Sequence, residues 1–320
     1  MAGTVLMRRM HLVKQGFQRA TLIFMVCLAW QASKAAENVA GTRTPIVVFM
    51  TDFGVLDDSV AICKGVMLSV DPQLRIVDLT HQVTPYSILD GARFLSGAAP
   101  YYPGGTVFVA VVDPGVGSAR RALVVKSKRG QFFVLPDNGL ITPIADRDGI
   151  EAAREITSPD WMIGAALSST FHGRDIFSPV GAHLARGDDW TRVGPEITLD
   201  SMVRLSLAPV KLDEQGLHGE VLATDGPYGN LVTNVSGADF LRLGYRQGET
   251  VEVSIAGTVF QLPFVRTFSD VALDRPLLYI DSRGRVGLAV NRGNFASAYR
   301  VKPPAPILIA RPKRAQVQTR

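Results

Sequence analysis

Residues 45–50 read Pro-Ile-Val-Val-Phe-Met, apolar without a break. A strand covered on both faces has that pattern, whereas a half-exposed strand alternates. Residues 59–70 carry apolar positions at helical spacing behind Asp57 and Asp58, whose charges suit the positive end of a helix. Residues 75–79 predict a second strand. Residues 88–99 predict a second helix, stopped by Pro100-Tyr-Tyr-Pro-Gly-Gly105. Residues 106–112, almost wholly apolar, predict a third strand that runs straight into Asp113. Two further runs, 122–127 and 132–135, flank Lys128-Arg129-Gly130, a hairpin-like turn. Residues 175–186 predict a helix. Strands alternating with helices imply an α/β region built on a mostly parallel central sheet.

After Gly187-Asp-Asp-Trp190 the pattern changes. Short alternating runs at 218–223, 230–235, 250–255, 259–264, 277–280, 286–290 and 306–310 are separated by turns such as Asp225-Gly226 and Ser282-Arg283-Gly284. They predict a smaller antiparallel β-barrel. The expected organisation is an α/β domain over 45–190 and a barrel domain over 205–310.

The first 35 residues follow neither pattern. Arg8, Arg9, Lys14 and Arg19 precede an apolar run over 20–30, and Ser33 and Ala35 offer a small-x-small cleavage site. This reads as a secretory signal over 1–35, too short to span a bilayer. The expected location is periplasmic or secreted, with no stable membrane anchor after cleavage. The full chain of 320 residues carries a formal charge of +5. The segment holds five basic residues and no acidic one, so the remainder is neutral. The basic end, Arg311, Lys313, Arg314 and Arg320, therefore reads as solvated, and no nucleic-acid partner is expected. Of the two cysteines, Cys27 lies in the signal. Cys63 reads as a small buried hydrophobe, since Lys64 alone is weak activation for a nucleophile.

The candidate chemistry sits where strands end. Thr51-Asp52-Phe53-Gly54 follows the first strand, at the end of an open sheet where ligands bind. An ionised Asp there accepts from both hydroxyls of a ribose, or it caps the next turn. Asp113-Pro-Gly-Val-Gly-Ser-Ala-Arg120 ends the third strand. Its glycines suit a loop with inward amides, and Arg120 can pair with Asp113, either as part of a site or as a surface ion pair. Thr170-Phe-His-Gly-Arg-Asp175 leads into a helix. A carboxylate, a guanidinium and the imidazole of His172 meeting in one dry pocket hold and activate a water. No spacing predicts a zinc site, a phosphate loop or a nucleophile elbow. Asp57, Asp58, Asp113 and Asp175 leave a magnesium site open. In the barrel, Asp225 through Asn230 and Asp281 through Gly284 read as hairpin turns or as a second wall. Tyr228 suits stacking on a flat ring, and Ser282 with Arg283 suits a carboxylate.

Together these segments, with Thr84-Pro85-Tyr86 and Pro136-Asp137-Asn138-Gly139, resemble the S-adenosylmethionine hydroxide adenosyltransferases, the SAM hydrolases related to fluorinase and chlorinase. The resemblance spans about 45–310 and implies a metal-independent enzyme. Its reaction is hydrolysis of SAM to adenosine and L-methionine, with SAM as substrate and no cofactor. It implies a homotrimer whose sites lie between one subunit's N-domain and its neighbour's C-domain. By position, Asp113, Arg120 and His172 match a water-activating triad, and Asp52 a ribose ligand. Tyr86 and Phe171 match aromatic walls. Asp225 and Ser282, with Arg283 beside them, match the holders of the methionine amine and carboxylate. Tyr228 and Asn230 match positions near adenine. In the halogenases a Tyr stands at Asp113, a Ser at Gly173 and a Thr at Val116, so the resemblance is to the hydrolases. Two other readings stay open: a secreted nucleoside- or SAM-binding protein without turnover, and a metal-dependent phosphoesterase. Since SAM is made in the cytoplasm, either SAM reaches the exported protein, or the substrate is another adenosyl compound, or the true start is not Met1 but Met7 or Met10.

Overall fold

A computed structural model of the chain describes residues 46–313, apart from 165 and 207. The signal reading lies outside the described residues. In chain order the first elements are strand β1 (Ile46–Thr51), helix α1 (Ser59–Val70), strand β2 (Arg75–Thr80), helix α2 (Ile88–Ala98), and strands β3 (Val107–Val111), β4 (Ala122–Ser127) and β5 (Phe132–Pro136). Helix α3 (Thr142–Asp148), strand β6 (Ile150–Glu155) and helix α4 (Ser178–Arg186) follow. The sheet order is β2-β1-β3-β5-β4-β6. The first four strands in that order are parallel; β4 runs antiparallel to both β5 and β6. The sheet is thus mixed and mostly parallel, as the apolar runs predicted.

Successive side chains on a strand point to opposite faces. Val47, Phe49, Val109 and Val111 pack with Cys63 and Met67 of α1 and Val180 and Leu184 of α4. Val48, Met50, Phe108 and Ala110 pack with Ala92 and Leu95 of α2 and Ile144 of α3 on the other face. Both faces are covered, which is why β1 and β3 show no polar alternation. Fully burying each Val, Leu, Ile, Phe or Met among them contributes about 1.5–3 kcal/mol. Ser87 caps α2 by accepting from the Asp90 amide at 3.2 Å. Before α1, Asp57 accepts from the Ser59 amide, while Asp58 makes no side-chain cap.

The second half holds strands β7 (Lys211–Leu212), β8 (Gly216–Asp225) and β9 (Asn230–Ser236), helix α5 (Gly237–Arg242), and strands β10 (Thr250–Ile255), β11 (Thr258–Pro263), β12 (Pro276–Ile280) and β13 (Arg285–Val290). Helix α6 (Phe295–Tyr299) and strand β14 (Ala305–Ala310) complete it. The sheet runs β11-β10-β14-β8-β9-β13-β12, with β7 added beside β8. Every pairing between these strands is antiparallel. A bridge from Phe264 to Leu278 brings its two ends together, so it is nearly a closed barrel. Its core includes Leu217, Val221, Leu231, Phe240, Val253 and Phe295.

Several elements depart from the expectation. Helices α3, α5 and α6 and strands β6 and β7 were not expected. In β6 only Ile150 and Ala153 are buried among charged neighbours, so its edge position leaves little apolar signal. The helix expected from 175 begins earlier, as a single π-turn over Gly173–Phe177 that continues into α4. Such turns mark places where a helix is bent to present a group.

Candidate active site

Asp52 leaves the end of β1 and Asp113 follows β3, its parallel neighbour in the sheet. The backbone before Asp113 is held from below by Asn138, whose side-chain amide donates to the Val112 carbonyl at 2.8 Å. Asp137 beside it is buried and accepts from Arg121 and the Val203 amide. This motif is therefore a support for the loop rather than part of a cavity wall. The 113–120 loop turns at Gly117, whose φ of +76° suits glycine. A Cβ at Gly117 would fall 2.3 Å from the Ser169 carbonyl oxygen. The loop thus lies directly against the segment that carries His172.

Arg120 joins Asp113 to His172, and its position differs from the expectation. Arg120 Nε donates to both oxygens of Asp113 at 3.0 Å, and Nη2 donates to Oδ2 at 2.5 Å. The same Nη2 donates to His172 Nδ1 at 2.6 Å. The side chains of Arg120 and Asp113 are 10% and 5% exposed. The difference is position. Asp113 and His172 line a cavity of about 380 Å³, together with Asp52, Tyr86 and Phe171, but Arg120 does not. It stands behind them, with its Cζ 5.2 Å from the centre of the Phe177 ring.

An arginine only donates, so His172 Nδ1 must accept, and the neutral ring carries its hydrogen on Nε2. Burial, and then the Arg120 charge, lower the His172 pKa below that of a free imidazole. Asp52 moves the other way. Burial raises its carboxyl, and the charge of Asp113 adds to that, against the opposing hydrogen bond from the Tyr86 amide. That amide meets Asp52 Oδ2 at 2.8 Å and leaves Oδ1 for a ligand. Tyr86 itself has φ +66° and is largely exposed.

Asp175, read as a cap or a metal ligand, locks the segment instead. It is fully buried and accepts from the Ser168 amide at 2.6 Å and from Arg174 Nε at 2.5 Å. Burial works to raise its carboxyl, and the Arg174 and Ser168 hydrogen bonds outweigh that, holding it low. Among the described residues no three His, Cys, Asp or Glu side chains converge as metal ligands. Cys63 is buried, and burial pushes its thiol up to about 11, the opposite of an activated nucleophile.

The barrel candidates line different cavities. Asp225, Asn230, Ser282 and Arg283 line one of about 370 Å³. Tyr228 and Asn230 line another of about 830 Å³, with Phe268, Arg292 and Asn294. Phe268 lines both. Within one chain, then, Asp52, Tyr86, Asp113, Phe171 and His172 share one cavity and the barrel residues do not join them. Sequence reasoning missed Phe268, Arg292 and Asn294. Asn291-Arg-Gly-Asn294 is a polar turn after an apolar strand, the same signal that singled out Asp225 and Ser282.

Comparison with known proteins follows these two halves. A family model described as SAM hydroxide adenosyltransferase N-terminal domain matches residues 47–194, and the C-terminal domain model of that family matches 219–308. The chain is 40% identical over 261 residues to an (R)-S-adenosyl-L-methionine hydrolase of Salinispora arenicola, covering 81% of this chain and 95% of that protein. It is 33% identical over 285 residues to a fluorinase of Nocardia brasiliensis, with the same coverage. A crystal structure of an uncharacterized conserved protein from Thermotoga maritima superposes with a TM-score of 0.78 at 35% identity, covering 83% of this chain and all of that one. The chain therefore belongs to the SAM hydroxide adenosyltransferase family.

Proposed function

We propose that this protein hydrolyses S-adenosyl-L-methionine to adenosine and L-methionine by attack of water on the ribose 5′ carbon. The observation that carries the reading is the arginine fork that aims Asp113 and His172 into the cavity bearing Asp52. Two carboxylates on that wall suit a sulfonium cation and repel a halide. Asp52 is the acceptor for the ribose hydroxyls, between the Tyr86 and Phe171 rings.

The sulfonium already makes methionine a good leaving group, so no acid has to protonate it. What remains is to hold one water in line with the C–S bond. Such alignment contributes roughly 7–11 kcal/mol. The hydrogen bond to Nδ1 favours a division of labour. His172 Nε2–H donates to the water oxygen, and an Asp113 oxygen accepts the departing proton. Free water, with a pKa of about 15.7, is too weak an acid for a carboxylate to deprotonate beforehand. As the C–O bond forms, the attacking oxygen becomes that of a protonated alcohol, a far stronger acid than a carboxylic acid. Transfer to Asp113 is then downhill and late. Arg120 acts through both partners by holding them, which needs the planar fork that lysine lacks.

The barrel residues complete the site from another copy of the chain, with Asp225 for the methionine ammonium, Ser282 and Arg283 for its carboxylate, and Tyr228 and Asn230 near adenine. A homotrimer with shared sites is the assembly we propose. The separation of the two sets into different cavities supports it, as do the exposed apolar side chains Val55, Leu56 and Ile62 near the Asp52 loop. Residues 1–35 support export to the periplasm or beyond.

The test is incubation of purified protein with each sulfonium epimer of SAM, with and without chloride and with and without EDTA. Equal amounts of adenosine and methionine, indifferent to EDTA, are expected. Stoichiometric binding without turnover would make it a binding protein. EDTA-sensitive turnover would point to metal chemistry, and 5′-chloroadenosine to a halogenase.

A further inference from the structure

Arg93 lies on α2, three residues after Asp90. Its side chain is 8% exposed, and its Cζ lies 4.4 Å from the centre of the Phe94 ring. Nε and Nη2 donate to Asp90 Oδ1 at 3.1 and 2.9 Å. Nη1 donates to Asp225 Oδ1 at 3.2 Å, 132 residues along the chain. The other oxygen of Asp90 accepts from the Thr84 amide and hydroxyl at 3.2 and 2.9 Å.

Burying such a group is costly unless its charge is met. Here two carboxylates engage one guanidinium, and Arg283 and Arg285 line a cavity together with Arg93. Asp90 and Arg93 are 9% and 8% exposed, and Asp225 is 39%. Asp225 is the more exposed of the two carboxylates and stands on the wall of the barrel cavity. Arg93 engages Asp225 Oδ1, and Oδ2 has no hydrogen-bond partner among the described residues. One oxygen is therefore fixed and the other is presented.

We propose that Arg93 is a positioning residue, which sets the rotamer of Asp225 so that its second oxygen faces the α-ammonium group of the substrate. The inference rests on the reading of Asp225 as the ammonium partner. It requires arginine, because one planar group must engage Asp90 with two donors and Asp225 with a third.

The experiment compares SAM with its analogue lacking the α-amino group, in the unaltered enzyme and in Arg93→Met, Arg93→Lys and Asp225→Asn. The unaltered enzyme prefers SAM by about 10–100-fold in kcat/KM, the worth of one charged hydrogen bond. Arg93→Met reduces that preference to about threefold or less, through a raised KM for SAM with kcat and the analogue's KM little changed. A merely structural role would raise both KM values together. Arg93→Lys keeps the charge without the fork and retains an intermediate preference. If Arg93→Met does not fold, the lysine variant and the charge-balanced pair Asp90→Asn with Arg93→Met carry the measurement. Full preference in Asp225→Asn would remove the underlying reading. Preference lost in Asp225→Asn but intact in the Arg93 variants would overturn the positioning role alone.

Discussion

Replacing Arg120 separates its part in the fold from its part in the reaction. In Arg120→Met the carboxylate of Asp113, 5% exposed, keeps its burial and loses its charge partner. Breaking one side of such a pair costs about 3–5 kcal/mol. At about 2–4 °C per kcal/mol for a chain of this size, the Tm falls by roughly 6–20 °C. Turnover falls further than stability requires. Asp113 and His172 lose their common anchor, and the alignment of the water goes with it, so turnover falls by about 10² or more. Exchanging both members, Asp113→Leu with Arg120→Met, leaves no buried unpaired charge and recovers most of the Tm. It recovers none of the activity. The assay is adenosine release followed by chromatography, beside a thermal melt and a SAM titration by calorimetry. SAM affinity stays within a few-fold in Arg120→Lys while kcat drops by about 10² or more. Turnover in Arg120→Lys within threefold of the unaltered enzyme would refute the argument.

Other consequences follow from the same geometry. Asp52→Asn raises KM for SAM by about 10–100-fold through weaker ribose hydrogen bonds. Because burial raises the Asp52 carboxyl, the ionised form costs the fold stability above that raised pKa, so the variant melts higher at pH 7. In the pH profile, kcat/KM falls on the acid side through an apparent value below 6.5, since His172 must stay neutral to accept from Arg120. The unfolded chain binds that proton more readily, so the His172 contribution to stability is lost as pH falls from 6.5 through the lowered value, as melts across pH would register. Gly117→Ala meets the Ser169 carbonyl and a left-handed backbone, and lowers stability by about 1–3 kcal/mol along with kcat, read by melting and steady-state rates.

What could be read beforehand follows from what each residue packs against. Parallel strands covered on both faces must be apolar throughout, so β1 and β3 announced themselves, and with them the ends where Asp52 and Asp113 stand. Strand β6 sits at a sheet edge with charged neighbours and gave no such pattern. The barrel strands alternate and lie between glycine turns, which made them legible, but their closure through Phe264 and Leu278 is a long-range pairing. The members of the candidate site were named from type and family likeness. Their layering was not, because it depends on where a long side chain passes. Arg120 reaches His172 across 52 residues and does so from behind the cavity wall. Arg93 and Asp225 had no signal linking them at all, since neither local spacing nor periodicity registers a contact between a helix and a distant barrel turn.

The central claim is that water supplies the new oxygen at the ribose 5′ carbon. Turnover of SAM in water enriched in oxygen-18, followed by mass spectrometry of both products, reads this directly. The account predicts adenosine carrying one heavy oxygen in its 5′ hydroxyl and methionine carrying none. Adenosine without label, or no adenosine beyond the amount of protein present, would contradict it.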